Sequence, residues 1–162
     1  MIKNIKYSKK PIIDYYIFID YSESLIGYLV IEYQKIEDLL PKISRLRHYR
    51  DSKNRKLYLK NVKQSFKTDN IENYFLKFDI KGKADSIEIY SDVLEFLKRH
   101  DNCLIFISVD DNQFRNFKKL VGIIDCKSTK IVRESELKKG TPEYQISLVL
   151  DNLLNIERRR IK

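Results

Sequence analysis

Ile12-Ile13-Asp14-Tyr15-Tyr16-Ile17-Phe18-Ile19-Asp20 is the stretch whose reading decides the fold. It is a nearly unbroken run of β-branched and aromatic residues closed by a carboxylate. Such a run fits a strand covered on both faces, hence a central strand of a sheet. The turn formers Tyr21-Ser22-Glu23-Ser24 follow, and then a second apolar run from Leu25 to Tyr33. The short connection predicts an antiparallel hairpin between strand one, Ile13 to Asp20, and strand two, Leu25 to Glu32. Far along the chain, Cys103 to Val109 is a bounded apolar run of the same kind. It reads as another buried central strand, and it too runs into carboxylates, Asp110 and Asp111.

Helices fill the intervals. Lys35 to Tyr49 carries Ile36, Leu39, Leu40, Ile43 and Leu46 at spacings of three and four, one face of a helix. Pro41 falls inside that pattern, which fits either a kinked helix or one that starts with Pro41 in its first turn. Leu57 to Val62 reads as a candidate third strand. Tyr74 to Ile80 alternates as a strand does, although Asn70 to Leu76 fits a helical turn equally. Asp85 or Ser86 caps a helix from Ile87 to His100 with an apolar stripe of Ile87, Tyr90, Val93, Leu94 and Leu97. A short helix over Asn112 to Val121 and a short strand over Thr129 to Arg133 come next. Thr141 as N-cap, Pro142 behind it and Glu143 in the first turn start a last helix that runs to about Arg160. The order is that of an α/β protein, a mixed sheet with helices packed on it.

The totals set limits. A chain of 162 residues predicts one domain, 1–162, with a real core. Glycine and proline, at 4 and 3 residues, are too scarce for long flexible linkers. No stretch is long and apolar enough to span a bilayer, so no membrane partner is expected. The basic lead-in from Met1 to Lys10 does not read as a signal peptide, because Asp14 and Asp20 interrupt the apolar stretch behind it. The two cysteines, Cys103 and Cys126, have no metal-ligand partners at short spacing and are too few for a disulfide scaffold, which points to a reducing, cytoplasmic compartment. The net charge of +9 attracts polyanions, nucleic acid first among them. Lysine-rich composition also serves solubility, so charge alone leaves both readings open.

Candidate chemistry lies in the carboxylates. Asp20 and Asp110 close two strands that, as parallel neighbours, would emerge at one sheet edge about one strand spacing apart. Asp151, in the last helix, could complete a cluster from above that edge. Clustered carboxylates repel unless a cation neutralises them, and Mg²⁺ or Mn²⁺ suits oxygen donors and phosphate substrates. Asp20, Asp110 and Asp151 are the expected catalytic and metal-binding residues, with Asp111 or Glu23 in reserve. Each has an ordinary alternative. Asp20 suits a turn, Asp110 a helix N-cap, and Asp151 a solvated pair with Arg158. Arg45, Arg47, Arg50, Lys53, Arg55 and Lys56, with Tyr49 and Tyr58 interleaved, could hold a phosphate backbone and stack a base, as could Arg158, Arg159 and Arg160. His48 and His100 stand alone, and no Walker loop, Rossmann fingerprint or nucleophile elbow is present.

At these residues the chain resembles the ribonuclease H-like superfamily. Within it, the likeness is to a family with an Asp-Glu-Ser-Gly motif after the first strand and a Gln-x-Ala-Asp motif in the last helix. Asp20-Tyr21-Ser22-Glu23-Ser24 stands for the first, without its glycine, and Gln145 to Asp151 for the second at a longer spacing. Arg133-Glu134-Ser135-Glu136-Leu137-Lys138-Lys139 looks like that family's lead into its final helix. The resemblance implies a ribonuclease H-like mixed sheet and a divalent-metal-dependent nuclease acting on DNA or RNA. The alternatives are a non-catalytic nucleic-acid-binding protein of the same fold and a subunit that binds another protein.

Overall fold

In the computed structural model of the protein, which describes residues 12–124 and 129–161, the opening apolar run forms strand β1 (Tyr15–Ser22). Asp20 sits inside this strand, which continues to Ser22. A two-residue turn, with Glu23 in the left-handed region at φ 50°, leads into β2 (Leu25–Glu32). Helix α1 (Tyr33–Ile43) starts directly from β2 and keeps Pro41 inside its last turn. The expected helix to Tyr49 thus ends early, two residues past a proline that removes one backbone donor.

Arg55–Thr68 is a helix, α2, which corrects the strand expected over Leu57 to Val62. The apparent alternation there was a fragment of a longer period, because the buried residues Leu59, Val62 and Phe66 lie three and four apart. Lysine and leucine favour helix, and Asn54 caps it by accepting from the Leu57 N–H at 3.1 Å. Beyond a 3₁₀ turn (Ile71–Tyr74) comes β3 (Phe75–Gly82), then α3 (Ser86–Arg99), β4 (Cys103–Ile107), α4 (Asp111–Ile123), β5 (Lys130–Arg133) and α5 (Pro142–Ile161). The α3 stripe is Ile89, Val93, Phe96 and Leu97. Ile87, expected in it, is 74% exposed, since the true stripe is displaced around the helix. Cys103 is a buried core residue as expected. Cys126 and Met1 to Lys10 lie outside the described residues.

The strands form one mixed sheet in the order β3-β2-β1-β4-β5. β2 is antiparallel to both β1 and β3, whereas β4 and β5 run parallel to β1. This is a ribonuclease H-like layout with helices on both faces. Phe18, Leu29 and Phe106 face one core with α1, α2 and α5. Ile17, Ile19, Ile105 and Ile107 face the other with α3 and α4. Alternation along each strand therefore assigns every residue to one helical layer or the other.

Candidate carboxylate site

The register of the parallel strands builds the site. Ile19 pairs with Ile107, and Ile107 with Arg133. The next residue on each strand is Asp20, Ser108 and Glu134, in line across the sheet. The Ser108 N–H donates to the Ile19 carbonyl at 3.0 Å, which carries the ladder one step beyond β4. Asp20 shares the side of Phe18, Ser108 that of Phe106, and Glu134 that of Val132. All three belong to the face covered by α5. Asp110 is two residues too far along to join them. Register and alternation would have singled out Glu134, by the argument that singled out Asp20, had the short strand β5 been followed to its end.

Helix α5 supplies Asp151. The side of α5 bearing Ser147, Asp151 and Asn155 is buried, together with Asn152. The segment joining α1 to α2 covers it. Gln145 Nε2 donates to the carbonyls of Ile43 (2.5 Å) and Leu46 (3.0 Å), and Asn152 Nδ2 to that of Arg47 (3.2 Å). Thus the amides of α5 tie down the segment that carries His48. His48 Nε2 lies 3.4 Å from Asp151 Oδ1. Its Nδ1 accepts from the Arg50 N–H at 3.3 Å, so Nε2 is the nitrogen that carries a proton toward Asp151. The expectation that His48 stands alone is corrected. Its carboxylate partner comes from a distant element, which sequence spacing does not reveal.

Asp20, Glu134, Asp151, His48, Arg50 and Asn155 are among the residues lining a pocket of about 400 Å³. Burial, then Glu134 and Asp151, push the Asp20 carboxyl well up, against the Tyr21 N–H, which donates to Asp20 Oδ1 at 2.8 Å, and the Ser108 hydroxyl. Burial moves Glu134 up to about 7, with Asp151 adding to it and Ser108 opposing. Asp151 is also raised by burial, held back by His48, the Tyr49 N–H, Arg50 and Asn155. Each carboxylate is thus desolvated, and they disfavour one another's charge. Asp151 Oδ2 is buried and has no hydrogen-bond partner among the described residues. Among those residues, too, no three His, Cys, Asp or Glu side chains form a ready metal cage. Asp20 and Glu134, two strand spacings apart, are separated by about 10 Å of backbone, which accounts for the openness.

Of the remaining expected residues, Glu23 and Arg50 reach the pocket and the others stand elsewhere. Asp110 Oδ1 accepts from the Gln113 N–H at 2.8 Å, and the Gln113 side chain returns to the Asp110 N–H, a complete capping box on α4. Asp111 is exposed and pairs with Arg133. Glu23, at the pocket rim, pairs with Arg158 at 3.0 Å. Arg158 also donates to the Tyr49 hydroxyl at 2.8 Å. Arg50 lines the pocket, whereas Arg45, Arg47, Lys53, Arg55 and Lys56 are exposed around the segment and the start of α2. The Tyr58 hydroxyl is tied to the backbone of Arg47 at both N–H (2.9 Å) and carbonyl (2.8 Å), so Tyr58 holds the loop. Arg159 and Arg160 are exposed at the end of α5.

Fold and site together define an α/β protein of ribonuclease H-like layout, with buried carboxylates around a pocket at the carboxyl edge of its parallel strands. No protein-family profile matches the chain, and no curated protein matches it. Among the described residues no helix is long and apolar enough to cross a membrane.

Proposed function

We propose that the chain is a member of the ribonuclease H-like superfamily that hydrolyses phosphodiester bonds of nucleic acid with a divalent cation. The convergence of Asp20, Glu134 and Asp151 on one pocket at the carboxyl edge supports this reading most. Ligands in open α/β sheets bind at that edge. Glu134 takes the place first expected for Asp110.

The donor set fits Mg²⁺ or Mn²⁺. It is all oxygen, its charges repel, and one buried oxygen of Asp151 lacks a partner. Asp20, Glu134 and Asp151 would hold the ion, which, when bound, supplies charge neutralisation and an activated water. The chain's own groups do the rest. Arg50, lining the pocket, offers a charge to a phosphate oxygen. Ser108 spaces Asp20 from Glu134. His48 orients Asp151 through its Nε2 proton, leaving the second oxygen of Asp151 free.

A second reading, a nucleic-acid binder without catalysis, draws on the lack of a closed three-ligand cage among the described residues. The deciding experiment incubates the protein with labelled single-stranded and duplex DNA, single-stranded RNA and hybrid, in Mg²⁺, Mn²⁺ or chelator. Asp20→Asn and Glu134→Gln run beside it. Metal-dependent cutting lost in both variants supports the nuclease. Folded protein that cuts none of these substrates leaves the binder.

A further inference from the structure

We infer that the groove between α2 and α5 is a track for the phosphate backbone of a single nucleic-acid strand entering the carboxylate pocket. The inference deepens the nucleic-acid reading above and rests on it. The groove, about 640 Å³, is lined by Lys56, Lys60 and Lys63 of α2 and by Arg158, Arg159 and Arg160 of α5, with Leu59 and Ile156 as its apolar floor. Among the described residues no carboxylate lines it. Lys56, Lys60, Lys63 and Arg159 have no ion-pair partner among the described residues.

Helix stability does not account for these lysines. The three arginines at the end of α5 complement the negative pole of that helix. Helix α2 is the opposite case. It starts with Arg55 and Lys56, has no acidic residue in its first turn, and carries no Asp or Glu along its length. Cations there face the positive pole and one another, an arrangement that disfavours the helix unless an anion sits against it.

The spacing fits one strand. Lys56, Lys60 and Lys63 are four and three residues apart, so they form one stripe. They span about 10 Å of helix, roughly three nucleotides at the rise of a stacked strand. Arg158 joins the track to the pocket. It lines the groove, and its guanidinium reaches Glu23 and Tyr49, both of which line the carboxylate pocket. The expected cluster of Arg45 to Lys56 is thereby extended along α2 to Lys60, inside the stretch expected as a strand, and to Lys63 just beyond it.

The test is fluorescence anisotropy in chelator, where nothing is cut. The probes are a labelled thymidine 20-mer, the same-length uridine strand, a duplex, and vesicles of phosphatidylserine and phosphatidylcholine. A Lys56→Gln, Lys60→Gln, Lys63→Gln protein is compared with an Arg115→Gln, Lys118→Gln, Lys119→Gln protein. The second removes equal charge from α4, on the opposite face of the sheet. Circular dichroism establishes that both are folded.

The groove variant is expected to bind the single strands at least tenfold more weakly, with the slope of log affinity against log salt flattened by about 2. The α4 variant is expected to stay within twofold of the parent. Equal losses in both variants, an unchanged salt slope, or binding to the vesicles alone would overturn the track. Groove-dependent binding without cutting in Mg²⁺ or Mn²⁺ removes the catalytic reading and leaves the track standing. Cutting with undiminished affinity in the groove variant does the reverse.

Discussion

Asp20 on β1 and Glu134, the first residue past β5, stand in line across a parallel trio of strands, with Ser108 between them and both carboxylates turned toward α5. Burial moves Glu134 from its ordinary 4.5 to about 7. Between these values the folded protein holds a proton that the unfolded chain releases. The stability this group lends is therefore complete below about pH 4.5 and is lost as pH rises to 7. In chelator, Glu134→Gln is expected to gain on the parent as pH rises from 5 to 7.5, by about 1–2 kcal/mol given the partial exposure of the group. Urea denaturation at the two pH values measures this. A difference between variant and parent that does not change with pH would mean that Glu134 titrates normally.

Asp20→Asn tests the same repulsion from the other side. It keeps the shape that accepts the Tyr21 N–H and replaces a carboxyl whose ionisation burial, Glu134 and Asp151 all disfavour. Without metal, the variant is expected to melt above the parent at pH 7.5. With Mn²⁺ at about ten times its dissociation constant, the parent is expected to gain about 1.4 kcal/mol, roughly 4 °C in Tm. Asp20→Asn is expected to gain none. Equal Mn²⁺ shifts in the two proteins would place the ion elsewhere.

Asp110 separates its two readings in one substitution. As the cap of α4, its replacement by alanine is expected to cost about 1 kcal/mol. The Mn²⁺ shift in Tm is expected to stay intact. A lost shift with unchanged stability would restore Asp110 to the ligand set.

These cases mark what the chain discloses unaided. The two central strands and the Thr141-Pro142 helix start are legible because each depends on residues close in sequence, and Asp20 and Asp151 do line one pocket. Thr141 Oγ1 does accept the Tyr144 N–H, at 3.2 Å. Glu134 escaped because its strand is a four-residue edge, too short to advertise its period. His48 escaped because only folding brings Asp151 to it. Helix α2 was misread because Leu57 and Leu59 alternate over a window shorter than a helical turn. Leu57 is exposed and Leu59 is buried. The alternative of a solvated Asp151 paired with Arg158 does not hold, because Asp151 is buried and Arg158 pairs with Glu23.

The amides of α5 yield a prediction of their own. Asn152 is fully buried and its Nδ2 serves the Arg47 and Leu148 carbonyls. Asn152→Ala leaves the Arg47 carbonyl with the Tyr58 hydroxyl as its side-chain donor and is expected to cost about 0.5–1.5 kcal/mol. The segment carrying His48 should also loosen. Amide exchange from Leu46 to Arg50 is expected to quicken in the variant more than exchange in β1. Uniform quickening would show that Asn152 stabilises the whole fold without a special hold on that segment.

Gly27 sets how closely α5 approaches the site. It pairs with Asp20 across the hairpin, on the same face of the sheet. A Cβ there would lie 3.0 Å from Leu154 Cδ2, 3.1 Å from Ile80 Cγ1 and 3.2 Å from Leu150 Cδ1. Leu150 and Leu154 flank Asp151 on the buried side of α5, and both are almost wholly enclosed. Two effects compete in Gly27→Ala. Alanine restricts the unfolded chain, a gain of about 0.4–1 kcal/mol. Overpacking costs about 1–3 kcal/mol where the neighbours cannot yield. Two of the three tight contacts, those on Leu150 and Leu154, fall on enclosed side chains and make the second the larger, so a net loss of about 1–2 kcal/mol is expected in urea denaturation. The strain is relieved most directly by moving α5 outward, which carries Asp151 away from Asp20. The Mn²⁺ shift in Tm should therefore shrink in Gly27→Ala, although no ligand has been changed. A variant as stable as the parent, with its Mn²⁺ shift intact, would mean that Leu150 and Leu154 turn aside freely and that the glycine is not what positions the helix.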